Sequence, residues 1–236
     1  GNTILRIDPN YGATVRYWEV GGKNQVFEHE KLNMLCKDRF YLPAGYENNR
    51  ELEGVYQFVS HQGEAGQLRV TFRRLVQKGL LAGFQVEKTF ALRKGEDAFG
   101  LTYQITNGDR ETRTFGFWVW NLLKVMAERD GKEPTLNLGG AVQKGVGGKP
   151  FLYPLKTANI AKGYENRLCH ELMRGTDKRP VDKAEVRVRQ GDDSFELSVD
   201  SESVYGFYTW SKLGVDLITL EAIFRPGRLQ PGEAWT

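Results

Sequence analysis

The chain has 236 residues, 40% of them hydrophobic and 12% aromatic, which is enough for one large packed domain without metal or disulfide staples. Its 33 basic and 30 acidic side chains leave a net charge of +3 and are mixed along the chain. Only short basic spots occur, at Arg73-Arg74 and from Arg225 to Arg228, so nucleic acid is excluded as the expected partner, and no apolar run reaches the ~18–20 residues that span a bilayer.

Period-two alternation dominates and predicts strands. Strands are expected around residues 3–7 and 13–20. Residues 29–51, with Pro43, Gly45 and the run YENNR, read as irregular. A strand at 52–60 follows. Leu68, Val70 and Phe72 then alternate with Arg69, Thr71 and Arg73, and Phe84, Val86 and Phe90 with Gln85, Glu87 and Thr89. Phe99, Leu101, Tyr103 and Ile105 alternate with Gly100, Thr102, Gln104 and Thr106. Each run has one face for a core and one more polar face.

The stretch 112–121 (TRTFGFWVWN) is apolar on both faces and reads as a strand near the middle of a sandwich. Short helical turns are expected within 121–129 and 164–174. Residues 130–183, rich in glycine and carrying Pro150 and Pro154, read as loop. Ala184, Val186 and Val188 oppose Glu185, Arg187 and Arg189, and the chain turns at Gly191-Asp192-Asp193 into Phe195, Leu197 and Val199, a hairpin signal. Strands at 203–210 and 216–223 follow. About twelve strands with scarcely any amphipathic helix predict an all-β fold, a large antiparallel β-sandwich of two packed sheets. No repeat or linker divides the chain, so residues 1–236 read as a single domain.

Two segments resemble the galactose mutarotase-like (aldose 1-epimerase-like) superfamily. Residues 84–122 are similar to its strand, strand, "tN-x-t" and aromatic-N-L progression, with Asn107 and the ending Trp120-Asn121-Leu122. Residues 216–236 are similar to its closing pattern, a strand ending in L-E, a short loop and L-x-P-G-E. The opening LRIDPNYGATVRYWEVGGKNQVF resembles the family's first hairpin more loosely. The resemblance implies a supersandwich with a sugar-binding concave face. In active members a glutamate deprotonates the anomeric hydroxyl and a histidine protonates the ring oxygen, and such acid–base work needs both groups near the reacting atoms.

Glu221, in Leu220-Glu221, falls where the resemblance places the catalytic glutamate. The alternation sets it opposite Ile218 and Leu220, which predicts an accessible carboxylate. An ion pair with Arg225 is the structural alternative. The family's N-H-x-Y-F-N-L motif appears as FWVWNL at residues 117–122, so Phe117 or Trp118 stands where the histidine belongs, and neither shuttles protons.

The acid is therefore sought among His29, His61 and His170. His170 lies beside Glu171 and near Arg167, and His61 follows a strand end. Solvated loop histidines are the plain alternative. Trp118, Trp120, Tyr208 and Trp210 are candidate sugar platforms with Asn121 as a polar reader, because sugars present apolar C–H faces and polar edges. Core packing is the competing role for these aromatics. Arg50 is a candidate loop contact to the sugar.

No metal site is expected from three scattered histidines, and no cofactor motif occurs. Cys36 and Cys169 are too few for a disulfide framework and leave one bridge open. The compartment and oligomeric state are left open. A periplasmic or secreted location is expected if a leader precedes Gly1. Three functions compete: a sugar isomerase with Glu221 as base, a noncatalytic saccharide-binding domain, and a polysaccharide lyase or glycosidase, which would need a Tyr/His pair or two facing carboxylates.

Overall fold

Alternating sequence becomes antiparallel sheet in the computed structural model. It describes residues 3–27, 34–41, 53–79, 81–124 and 227–236, with the strands at 135–138, 142–144, 150–152, 156–159, 165–166, 181–190, 193–199, 204–211 and 217–224. In chain order the strands begin with β1 (Ile4–Asp8), β2 (Thr14–Val20), β3 (Lys23–Asn24), β4 (Lys37–Tyr41) and β5 (Gln57–Glu64). They continue as β6 (Gln67–Leu75), β7 (Phe84–Arg93), β8 (Phe99–Asn107), β9 (Arg113–Lys124) and β10 (Thr135–Leu138). Next come β11 (Val142–Lys144), β12 (Pro150–Leu152), β13 (Lys156–Asn159), β14 (Glu165–Asn166) and β15 (Val181–Gln190). The last are β16 (Asp193–Val199), β17 (Val204–Ser211), β18 (Leu217–Phe224), β19 (Gly227–Leu229) and β20 (Ala234–Trp235). The described residues contain no α-helix.

The chain divides into two compact units, residues 1–26, 33–117 and 226–236 in the first and residues 27–32 and 118–225 in the second. Strand β9 gives its first half to one and its second half to the other. In the first unit, β20-β8-β7-β6-β5 form a five-stranded sheet and β1-β2-β3 a three-stranded one. Along β7, Phe84, Val86, Lys88 and Phe90 are buried while Gln85, Glu87 and Thr89 are half-buried. The polar face carries cross-strand pairs, Thr71 with Thr89 through their hydroxyls at 2.9 Å and Arg73 with Glu87 at 2.6 Å. The core packs Phe40 against Phe84, Phe115 and Phe117, with Trp235 of the last strand edge-on to Phe115 and Phe117.

In the second unit, β14-β17-β18-β9 run side by side in one sheet, and β12-β11-β15-β10-β13 form another with β16 paired to β15. The expected hairpin is there, closing with Gln190 opposite Asp193.

Several expectations are corrected. The helical turn within 121–129 is replaced as far as Lys124 by the continuation of β9. Within 164–174, Glu165 and Asn166 form strand β14, and the other positions lie outside the described residues. The irregular segment 29–51 contains β4, and 130–183 contains five short strands and the start of β15. These strands are too short, or too charged in Lys37-Asp38-Arg39, to show a period. The strand expected at 52–60 begins only at Gln57.

Candidate functional site

Strands β17, β18 and β9 bring the candidate residues into register. Glu221 of β18 stands opposite Trp120 of β9 on one side and Tyr208 of β17 on the other. The next row holds Thr219, opposite Leu122 and Trp210, and the row beyond holds Ile223, opposite Trp118 and Gly206. Positions two apart share a face, so Trp118 and Trp120 line the same side as Glu221. Directly opposed residues have Cβ atoms about 5 Å apart. The Trp118 and Trp120 rings lie 5.9 Å apart at 59°. A position that sequence reasoning missed joins this set: Glu165 of β14 is opposite Trp210. Its two-residue strand gave no periodicity to find it by.

Glu221 is buried, at 2% exposure, which corrects the expected accessibility. Strand β18 is interior to its sheet, and Thr219, Leu220 and Ala222 are buried beside Glu221, so both faces of the strand are covered. Alternation separates faces; it does not say which face meets water. Glu221 is not isolated in this setting. Trp118 is buried and Trp120 half-buried. Asn121 points to the other face of β9 and is half-buried, its Nδ2 donating to the Leu220 carbonyl at 2.9 Å, so it ties β9 to β18. Phe117, in the first unit, is fully buried among Phe40, Tyr103 and Trp235 and serves its core.

His61 lies on exposed strand β5 of the first unit, opposite Val70, with its ring 6.1 Å from that of Phe58. His29, His170, Arg50, Arg225 and Cys169 lie outside the described residues. Among the described residues, no three His, Cys, Asp or Glu side chains gather to hold a metal ion.

The first unit carries two polar clusters that the sequence reading passed over, both built on β4. On one face, the Asp38 carboxylate pairs with Lys88 Nζ at 2.8 Å and accepts the hydroxyls of Tyr103 at 2.6 Å and Tyr56 at 3.2 Å. Burial pushes the Asp38 carboxyl up from its ordinary value, against the pull of Lys88 and the two hydroxyls. Burial and the Asp38 charge hold both tyrosines well above their ordinary value, so they remain donors. The neighbouring Cys36 thiol is pushed up to about 12 by burial and stays protonated at neutral pH.

On the other face, Glu53 receives Lys37 at 2.8 Å, Arg39 at 3.3 Å and the Tyr11 hydroxyl at 2.8 Å. Burial pushes the Glu53 carboxyl up, but the hydrogen bonds from Lys37 and Tyr11 and the charges of Lys37 and Arg39 outweigh it and hold it below its ordinary value. One signal was readable: Lys88 sits in the apolar phase of β7, between Val86 and Phe90.

No protein-family model matches the chain, and a search of curated proteins finds no relative. Solved structures do match. The Slr1438 protein of Synechocystis sp. PCC 6803 superposes with a TM-score of 0.65 at 13% identity, covering 98% of this chain and 88% of that one. A galactose mutarotase-like protein from Lactobacillus casei gives 0.58 at 12% identity, covering 99% and 97%. A galactose mutarotase related enzyme from Lactobacillus acidophilus gives 0.61 at 10% identity, covering 100% and 93%. The fold is therefore the all-β, antiparallel sandwich of galactose mutarotase-like proteins, as the sequence resemblance implied. At these identities the likeness speaks for the fold and leaves the activity to the site.

Proposed function

We propose that the chain binds a saccharide at the Trp120 side of the β17–β18–β9 sheet face, where Trp120 keeps partial exposure while Glu221 and Trp118 beside it are buried. The observation that supports this reading is the register row itself, Trp120, Glu221 and Tyr208 side by side, with Trp118 and Trp210 in the flanking rows. A pyranose offers an apolar face to an indole and hydroxyls to a carboxylate, so this composition matches both of its surfaces. The kinship of the fold with galactose mutarotase-like proteins points the same way.

A second reading, a ring-opening sugar isomerase, is favoured by the place of Glu221 at the centre of that row. Glu221 would take the anomeric proton, and the acid would come from among His29, His61 and His170. Binding ranks first because Phe117 and Trp118, at the positions where the family's histidine belongs, are buried side chains without a transferable proton.

Calorimetric titration with a panel of aldoses and short oligosaccharides tests the binding. Saturable heat with at least one sugar is expected, and none across the panel contradicts it. Polarimetry of freshly dissolved α-glucose and α-galactose separates the two readings. Acceleration that disappears in Glu221→Gln makes the chain an isomerase, whereas binding without acceleration leaves it a saccharide-binding protein.

A further inference from the structure

The Lys88 side chain of β7 is fully buried, and its ammonium ends in a cage of oxygens. Nζ lies 2.7 Å from the Gly12 carbonyl, 2.8 Å from the Cys36 carbonyl and 2.8 Å from Asp38 Oδ2, with the Ala13 carbonyl at 3.4 Å. Three close acceptors match the three N–H donors of an ammonium. The rings of Tyr56 and Tyr103 flank the ammonium, with centroids at 5.5 and 5.4 Å. Their hydroxyls donate to the Asp38 carboxylate, that of Tyr103 to Oδ1 and that of Tyr56 to Oδ2, the oxygen that also meets Nζ.

The backbone is bent to build this cage. Gly12, Ala13 and Cys36 have φ of +71°, +45° and +59°, and for the two non-glycine residues this is a strained region that persists only where the surroundings impose it. The same residues supply the carbonyls that surround Nζ. Carbonyl oxygens converging with one carboxylate, walled by aromatic faces, have the composition of a site for a small cation. Here the cation arrives on a tether from another strand.

We propose that this cage is an internal cation site, filled by the Lys88 ammonium in place of a diffusible ion, and that it takes up small primary alkylammonium ions once the tether is removed. The charge and the donor count of the ammonium, more than the volume of the side chain, hold the strained turns at Gly12-Ala13 and Cys36 against β7.

Propylammonium replaces the atoms that Lys88→Ala deletes, and propan-1-ol has the same shape without the charge. In thermal melts of the full chain, Lys88→Ala is expected to lower the Tm by on the order of 10 °C. Propylammonium should then raise it again in a saturable way, propan-1-ol should not, and neither should raise the Tm of the unsubstituted chain. If Lys88→Ala is unfolded at rest, recovery of β circular dichroism on refolding is the readout, and it should require the amine. Equal effects of amine and alcohol, or no effect of either on the melt or the refolding, would overturn the proposal. So would a Lys88→Met variant, which keeps most of the length but not the charge, with the Tm of the unsubstituted chain.

Discussion

Glu53 shows how a single side chain can be pinned by its neighbours in a way the sequence does not display. Its carboxylate gathers Lys37, Arg39 and Tyr11 from segments more than ten residues away, and no spacing rule links them. Because its pKa is held below the ordinary value, its contribution is complete above that value of 4.5 and is lost as the pH falls through the lowered folded value. Glu53→Gln is therefore expected to lower stability at neutral pH by roughly 1–2 kcal/mol. The gap from the unsubstituted chain should close on acidification, as read by urea melts across pH. A gap independent of pH would place the effect in packing instead. Lys88 was legible by contrast, as the one cation in the apolar phase of β7. What could not be read was its partner, because Asp38 lies on a strand too charged to show a period.

At the scale of elements, the longer strands followed from alternation, and β9 stood out as apolar on both faces because it is interior to its sheet. The turn after β8 shows what else holds such strands. Asn107 is fully buried; its Nδ2 donates to the carbonyls of Glu111 at 2.8 Å and Leu229 at 3.0 Å, and its Oδ1 accepts from Asp109 N at 3.0 Å. Its own backbone bonds Gly232 and Glu233, so one residue fastens β8 to the closing segment. The following Gly108 has no room for a side chain, since a Cβ there would meet the Gly83 carbonyl oxygen at 2.6 Å. Asn107→Ala strands the buried Leu229 carbonyl and the part-buried Glu111 carbonyl and Asp109 N–H, and a loss of roughly 1–3 kcal/mol in chemical denaturation is expected. A loss within about 0.5 kcal/mol, the range of ordinary surface substitutions, would mean that water replaces the side chain. The short strands β10 to β14 were not legible, because two to four residues cannot establish a period.

For the molecule as a whole, the fold class was readable from many strands and one partial resemblance, since alternation is repeated over most of the chain. The site was readable only in part. Residues 118–122 and 221 could be named from sequence, but their meeting depends on a strand register that no local pattern fixes. Burial of Glu221 was missed for the same reason: coverage of a sheet face is a tertiary property.

Sugar binding at Trp120, beside the buried Glu221, makes a direct prediction for the indole. Tryptophan fluorescence titrated with the sugar giving the largest calorimetric heat tests it most directly, with Trp120→Ala alongside. A saturable change in emission is expected in the unsubstituted chain, with a loss of affinity of roughly tenfold or more in Trp120→Ala, the loss of one aromatic platform. Unchanged affinity in Trp120→Ala would contradict it and put the saccharide elsewhere.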